Sequence, residues 1–312
     1  MGRAKISVVG AGSVGASCAR RLAECNYADI VLVDQLERLA GGIALDINHA
    51  APIGGYEPRV TAAAGYEQTA GSDLCVIAAG LARRPGMGRD DLMAGNAEVV
   101  EAVAKRLAER SPDAILIVVT NPLDAMCHVA LDASGFTRQR VIGMSGVLDS
   151  ARWRSLIAAE LEVSVRDVTG MVLGGHGEMM VPVLSSASVA GLPVGERIGA
   201  GRLEEIIERT REGGSEVVAL TEASPSCAPS AGVVEIADSI IRDERRILSC
   251  AALCQGEFQI RDVFVGVPCR LGADGIEEIV EFELAEDELS ALQASADSVR
   301  EVVAAMTKQR NR

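Results

Sequence analysis

The chain has 312 residues, an apolar fraction of 48% and a formal net charge of −14. This length exceeds that of most single domains, so two domains that share an interface are expected. The strong negative charge argues against nucleic acid or an anionic membrane as a partner. Aromatic residues make up only 3% of the chain, so an aliphatic core is predicted.

The first half of the chain alternates short β-branched runs with longer helical patterns, which is typical of a parallel sheet with crossover helices. Strands are predicted at residues 6–9, 30–33, 59–63, 74–79, 115–119 and 141–142, and helices near 14–25, 37–49, 92–110 and 122–134. Strands in this rhythm predict an α/β protein with an N-terminal, doubly wound Rossmann sheet.

The second half changes character near residue 143, so we predict a Rossmann domain at 1–143 and an α+β catalytic domain at 144–312. A helix is expected from Ser150, followed by a strand at 168–173, helices near 203–220 and 229–243, strands at 263–268 and 277–282, and an amphipathic helix from 286 to 306.

Three features that the sequence lacks bear on location and metal binding. No signal-peptide core and no apolar run of membrane-span length is found, so a cytoplasmic protein is expected. The eight cysteines form no CxxC pair, which favours buried thiols in a reducing compartment. The three histidines do not cluster with them, and no metal site is predicted.

A glycine-rich motif follows the first predicted strand and begins a helix. It runs, in order, Gly10, Ala11, Gly12, Ser13, Val14 and Gly15. The first glycine permits a tight turn, the second lets the backbone approach a pyrophosphate, and the third allows close packing of helix and strand. The motif therefore predicts a dinucleotide site at a helix N-terminus.

Asp34 ends the next predicted strand, nineteen residues after Gly15. A carboxylate at this place can accept hydrogen bonds from ribose hydroxyls and would repel a 2′-phosphate. We therefore predict NAD rather than NADP as the cofactor. The alternative is that Asp34 only caps the helix that follows.

One histidine, His176, lies between glycines just after a predicted strand. Its ordinary pKa of about 6.5 suits a group that exchanges one proton near neutrality. Asp149 is the best candidate to orient the imidazole, and Arg152, three residues later on one helix face, could grip a substrate carboxylate. The alternative is an N-terminal aspartate with a local ion pair. His49 and His128 lie in helical patterns and are expected to be structural.

Two more segments complete the candidate site. Asn121 closes a strand and could donate to a substrate oxygen or near a nicotinamide, although turn chemistry explains an Asn-Pro pair equally well. Arg83 and Arg89 flank Pro85-Gly86 on a loop after a strand. These arginines suggest a loop that closes over an anion with more than one carboxylate, or else a solvated basic turn.

Five of these motifs follow predicted strands at their carboxyl ends, which in open α/β sheets form the edge where ligands bind. They are the glycine loop, Asp34, the double-arginine loop, Asn121 and the Asp149 segment. As a set, GAGSVG, TNPLD, GMSGVLDSARWR, LGGHGEMMVP and Glu212–Gly214 resemble the lactate/malate dehydrogenase family, and in particular its lactate-dehydrogenase-like malate dehydrogenases. The resemblance covers nearly the whole chain. It implies reversible hydride transfer between NADH and a 2-oxo acid, a step of the tricarboxylic acid cycle if the acid is oxaloacetate.

The resemblance also implies roles for individual residues. His176 with Asp149 would give or take the proton, and Arg152 would bind the carboxylate next to the reacting carbon. Arg89 would polarise the carbonyl, and Arg83 would read the second carboxylate of oxaloacetate, where lactate enzymes carry glutamine.

The cofactor site implied by the resemblance is completed by Asn96, Thr120 and Asn121. A small dicarboxylate, malate or oxaloacetate, is the expected partner, and a homodimer or homotetramer is the expected assembly. The segment 223–229 departs from the family because it lacks the aromatic residues often found there. Two alternatives stay open: a lactate or other 2-hydroxy-acid dehydrogenase, and a non-catalytic NADH-binding protein.

Overall fold

The computed structural model describes residues 2–57, 59–81 and 89–310. Within those ranges the strands are β1 (Ala4–Val9), β2 (Ala28–Val33), β3 (Val60–Ala63), β4 (Leu74–Ile77), β5 (Ile115–Val118), β6 (Val141–Gly143), β7 (Val168–Thr169), β8 (Val172–Leu173), β9 (Val181–Pro182), β10 (Ser188–Val189), β11 (Leu192–Pro193), β12 (Arg246–Gln255), β13 (Arg261–Gly272) and β14 (Gly275–Ile279). The helices are α1 (Ser13–Glu24), α2 (Glu37–Gly54), α3 (Arg89–Arg110), α4 (Leu123–Ser134), α5 (Gly146–Leu161), α6 (Ala200–Thr221), α7 (Cys227–Ile241) and α8 (Glu286–Arg310).

The first six strands are parallel and lie in the order β3-β2-β1-β4-β5-β6. Every residue of β4 and β5 is buried, because helices cover both faces of the sheet. This order is that of a doubly wound dinucleotide-binding fold. The predicted fold class is confirmed: an α/β protein with an N-terminal Rossmann sheet, followed by a C-terminal α+β part whose long strands pair antiparallel.

Strand β12 was not predicted, and it joins the two halves of the chain. It pairs antiparallel with β6 through Ala251 and Gly143, so that β12, β13 and β14 extend the parallel sheet to nine strands. Leu248–Ala252 is buried without interruption, which removes the alternation that marks a half-buried strand. A Cβ on Gly143 would lie 2.6 Å from the Ala251 Cβ, so this contact requires small residues, which are weak strand formers.

Two other expectations in the second half are corrected. The single strand expected at 168–173 is two short strands in different small sheets, β7 with β10 and β8 with β9, separated at Gly170 and Met171. The strand expected at 277–282 is β14, which begins and ends earlier because it forms a tight hairpin with β13 at Gly272 and Gly275.

His128 is a structural residue of the fold. It lies on α4, its ring meets Phe264 edge to face at 5.0 Å, and its Nε2 accepts the backbone N–H of Phe264 at 3.1 Å. This bond requires a neutral imidazole with a free lone pair on Nε2. Burial lowers the pKa of His128, and the nearby Asp132 only partly opposes that effect.

We predict that His128 makes the fold sensitive to acid. Because its folded pKa lies below the unfolded value of about 6.5, its contribution is present above that pH and is lost as the pH falls below it. In urea unfolding, His128→Gln, which keeps an acceptor near the Nε2 position, should lose less unfolding free energy than the parent chain between pH 7 and pH 5. The exposed His49 offers the control His49→Gln, and equal losses in all three proteins would contradict the prediction.

In the part of the chain that the structure describes, no helix is long and apolar enough to cross a membrane. The cysteines are all free, and most are buried. The buried ones are Cys18, Cys75, Cys127, Cys250, Cys254 and Cys269, while Cys25 is half-buried and Cys227 is exposed.

Candidate active site

The motifs singled out in the sequence gather at one edge of the parallel sheet, where its strands end. The glycine loop follows β1, Asp34 follows β2, and Asn121 follows β5, while Asp149 lies on the helix that follows β6. The segment that leads to Arg83 and Arg89, which we call the arginine loop, follows β4. Because the carboxyl ends of parallel strands share an edge, residues far apart in sequence come together there.

The glycine loop has the backbone that the motif requires. Gly10 has φ +104, and a Cβ there would lie 2.7 Å from the Ala79 backbone nitrogen. A Cβ on Gly15 would lie 1.7 Å from the Gly10 carbonyl oxygen. By contrast, a Cβ on Gly12 would meet no described atom within 4 Å, so this side of the loop is open for a ligand. Gly12 caps α1 without a side-chain hydrogen bond, and the loop therefore fits a pyrophosphate at a helix N-terminus.

Asp34 connects the glycine loop to the turn before α2. Its Oδ2 accepts the backbone N–H of Ala11 at 2.6 Å, and its Oδ1 accepts the backbone N–H of Leu36 at 2.8 Å. The bond to Leu36 is a local turn bond and not a helix cap, because the N-cap of α2 is Leu36 itself and has no side-chain cap hydrogen bond. The bond to Ala11 places the carboxylate beside the phosphate-binding loop, where a ribose would lie next to the pyrophosphate.

Asn96 and Thr120 have structural partners at this edge. The Asn96 Oδ1 accepts the N–H of Leu81 at 2.7 Å, and its Nδ2 donates to the Asn121 carbonyl at 2.7 Å. The Thr120 hydroxyl donates to the Ala79 carbonyl at 2.6 Å. These bonds join the segments after β4 and β5. Asn121 itself is exposed at that junction.

His176, Asp149 and Arg152 form one hydrogen-bonded chain. The Nδ1 of His176 lies 2.8 Å from Oδ2 of Asp149, and Nη1 of Arg152 donates to Oδ1 of Asp149 at 3.0 Å. The Asp149 side chain is only 2% exposed, whereas His176 and Arg152 are 16% and 18% exposed. The carboxylate is therefore internal, and the cation and the imidazole reach the surface of the site.

The surroundings of His176 favour its protonated form. Burial alone would lower the pKa of its imidazole, but the charge and hydrogen bond of Asp149, with a further contribution from Asp124, raise it above the ordinary value. Arg152 opposes that rise. Because Asp149 engages Nδ1, the imidazole is left with Nε2 for proton exchange.

Asp124 belongs to this site and was not predicted. It lies in the first turn of α4, is 7% exposed, and its Oδ2 accepts the backbone N–H of His176 at 2.9 Å. An acidic residue in a first helical turn is common, because it interacts favourably with the helix dipole. The sequence TNPLD therefore gave no signal that this carboxylate reaches a residue 52 positions away.

Two glycines in α6 make room for Arg152. A Cβ on Gly213 would lie 3.0 Å from the Arg152 Cδ, and one on Gly214 would lie 3.4 Å from its Nη2. Glu212–Gly214 is the segment that the resemblance had marked without a role. Its glycines let α6 pass close over the guanidinium, which limits the positions that Arg152 can adopt.

The arginine loop lies mostly outside the described residues. Arg83 is one of the residues that the structure does not describe, and of Arg89 only the backbone, at the start of α3, is described. The segment 223–229 leads into α7, and its Pro225 and Ser226 are half-buried. Among the described residues, no group of three or more His, Cys, Asp or Glu is placed to hold a metal ion.

Residues 4–143 match the lactate/malate dehydrogenase NAD-binding domain, and residues 146–309 match the α/β C-terminal domain of the same family. A malate dehydrogenase from Thermomicrobium roseum is 51% identical and aligns over 97% of this chain and 98% of its own length. A malate dehydrogenase structure from Salinibacter ruber has a TM-score of 0.95 at 45% identity, covering 98% of this chain and 99% of its own.

A lactate dehydrogenase from Cryptosporidium parvum, solved with lactic acid and nicotinamide adenine dinucleotide, has a TM-score of 0.94 at 34% identity, covering 98% of this chain and 99% of its own. Backbone likeness therefore does not separate the two substrates. The family models together span nearly the whole chain, and the resemblance seen in the motifs is confirmed: the chain belongs to the lactate/malate dehydrogenase family.

Proposed function

We propose that the chain is an NAD-dependent malate dehydrogenase, which interconverts malate and oxaloacetate. The observation that carries the reaction class is the chain of hydrogen bonds from His176 through Asp149 to Arg152. Two malate dehydrogenase relatives, 51% and 49% identical over 97% and 95% of this chain, support malate and oxaloacetate as the substrates.

In the reductive direction His176 would donate a proton from Nε2 to the substrate oxygen. Asp149 would hold the imidazole in the required tautomer and stabilise its charged form. Arg152 would bind the carboxylate beside the reacting carbon, a charge-assisted contact that orients the substrate. When bound, the nicotinamide cofactor supplies or accepts the hydride. The glycine loop from Gly10 to Gly15, Asp34 and the region of Asn96, Thr120 and Asn121 would hold it.

The raised pKa of His176 gives the pH dependence of both directions. Reduction of oxaloacetate requires the protonated imidazole, so its rate should fall as the pH rises through that pKa. Oxidation of malate requires the neutral imidazole, so its rate should rise over the same range.

Substrate selection is assigned to the arginine loop. Oxaloacetate has two carboxylates, and Arg152 accounts for one of them. We propose that Arg83 binds the second and that Arg89 polarises the carbonyl. These roles rest on the two arginines that flank Pro85-Gly86 in the sequence and on the resemblance to the family, because both side chains lie outside the described residues.

The direct test is an NADH-oxidation assay with oxaloacetate and with pyruvate, repeated with NADPH. We expect kcat/KM for oxaloacetate to exceed that for pyruvate by orders of magnitude, and NADH to be preferred over NADPH because Asp34 would repel a 2′-phosphate. A preference for pyruvate would favour the lactate alternative. Absence of turnover with tight NADH binding would favour a non-catalytic protein.

We predict that Gly213→Ala weakens substrate use without affecting the cofactor. The new Cβ would lie 3.0 Å from Arg152 Cδ and 3.2 Å from its Nε, so the guanidinium must shift. The shifted guanidinium would contact the substrate carboxylate in a poorer geometry, so kcat/KM for oxaloacetate should fall by about 10-fold. Gly201→Ala, in the same helix with no described atom within 4 Å of its Cβ, is the matched control. Equal kinetics for the two variants, with equal NADH affinity, would contradict the role given to Gly213.

The division of the chain at residue 143 is also part of this proposal. Residues 1–143 would hold the cofactor, and residues 144–312 would supply the proton-transfer residues.

We further propose a cytoplasmic homodimer or homotetramer that acts in the tricarboxylic acid cycle. Sedimentation of the purified protein would test the assembly, and a monomer at assay concentration would overturn that part.

A further inference from the structure

We propose that Asp124 is a positioning residue for His176, which fixes the histidine backbone by a hydrogen bond and adds a second negative charge beside Asp149. This inference rests on the proposed acid/base role of His176 and deepens it. Asp124 does not lie in the hydrogen-bonded chain from His176 to Arg152, so its contribution is separate from that of Asp149.

Two side chains from different helices hold the loop that carries His176. Asp124, on α4, accepts the N–H of His176 at 2.9 Å, and Ser295, on α8, accepts the N–H of Gly175 at 2.8 Å. A Cβ on Gly175 would lie 2.8 Å from a Val299 methyl carbon, so the loop is also packed against α8. The loop backbone is thus fixed at consecutive residues, and Asp124 holds the one that bears the imidazole.

The hydrogen bond from the N–H of His176 does not by itself require a negative charge on Asp124. One N–H group can be satisfied by a neutral acceptor such as an amide or hydroxyl oxygen. The other oxygen, Oδ1, is buried and has no hydrogen-bond partner among the described residues. Burying an ionised carboxylate that is only partly hydrogen-bonded is unfavourable. The compensating interaction is with the imidazolium of His176.

The ionisable groups that face each other here are Asp124, Asp149 and His176, with Arg152 beyond Asp149. The buried thiol of Cys127 also lies near Asp124, but burial and the Asp124 charge raise its pKa, so it stays neutral. Burial raises the pKa of Asp124 to about 6 and Asp149 adds to that rise, whereas the N–H and the charge of His176 oppose it. In return, Asp124 raises the pKa of His176. Above about pH 6 the carboxylate therefore supports the protonated imidazole, and below that pH protonation removes the support.

The test is Asp124→Asn, which keeps an oxygen acceptor for the N–H of His176 and removes the charge. The pKa of His176 is read directly by NMR on protein with isotope-labelled histidine rings, since the chain has only three histidines. We expect it to fall by about one pH unit, and the pH profile of oxaloacetate reduction to move down with it. Asp124→Ala should also lower kcat, because it loses the acceptor. Asp132→Asn, on the same helix but exposed, is the matched control and should leave His176 unchanged.

An unchanged pKa of His176 in a folded Asp124→Asn variant would overturn the proposal. If that variant does not fold, the parent chain still decides it, because the His176 signals should titrate in two coupled steps, one of them near the pKa of Asp124. A single step would overturn it. The acid/base role of His176 is tested separately by turnover of His176→Asn, so failure of that role and failure of the Asp124 proposal give different results.

Discussion

His176→Asn should lower kcat/KM for oxaloacetate by about 10²–10⁴-fold, because the substrate oxygen loses its proton donor. NADH affinity should be retained, since the glycine loop and Asp34 contact neither His176 nor its partners among the described bonds. Asparagine can still donate from its amide toward Asp149, so the buried carboxylate stays partnered and the protein should fold. The measurement is steady-state kinetics with oxaloacetate, paired with a fluorescence titration of NADH.

The control for this prediction is His49→Asn, which changes an exposed histidine on α2 and should be kinetically silent. Asp149→Asn gives a second comparison. It leaves His176 in place but lets an amide N–H face Nδ1, which favours the wrong tautomer and removes the ion pair to Arg152. We expect it to lower kcat and raise KM together, whereas His176→Asn should act mainly on kcat. Turnover near the parent level in His176→Asn would remove His176 from its proposed role.

The sequence predicted the parallel half of the sheet well because each of its strands is a short aliphatic run followed by a turn. Strands such as Leu74–Ile77 and Ile115–Val118 are buried on both faces, and their composition alone marks them. Strand Arg246–Gln255 is buried along its middle, from Leu248 to Ala252, but the tight contact of Ala251 with Gly143 demands small side chains. Small side chains carry little strand preference, so this strand could be found only from its neighbours in space.

The residues of the candidate site also differ in whether the sequence could identify them. His176 and Asp149 could be paired from the sequence, because a histidine between glycines suits proton exchange and an imidazole in that role needs a carboxylate to orient it. Asp124 could not be found, because its partner is the backbone N–H of a residue 52 positions away and no periodicity records such a contact. Asn96 was proposed for the cofactor, and the structure shows both ends of its amide bonded to backbone groups of Leu81 and Asn121. Its part in cofactor binding stays a prediction.

Arg83→Gln should shift the preference between oxaloacetate and pyruvate by about 10³–10⁵-fold in the ratio of their kcat/KM values. In the parent chain, pyruvate would leave a desolvated guanidinium without its carboxylate partner, whereas oxaloacetate would pair with it in bidentate fashion. Glutamine removes that penalty for pyruvate and removes the partner for the second carboxylate of oxaloacetate. Both changes lower kcat/KM for oxaloacetate relative to kcat/KM for pyruvate.

The neighbouring residue supplies the control that separates this contact from general charge. Arg84→Gln makes the same change of net charge one residue away in a chain that already carries −14. A long-range effect on anionic substrates would be equal in the two variants and would weaken with added salt. A bidentate contact in a closed site would be confined to Arg83→Gln and would survive 0.5 M salt. An unchanged substrate ratio in Arg83→Gln, or an equal change in Arg84→Gln, would contradict the assignment of Arg83 as the residue that selects the dicarboxylate.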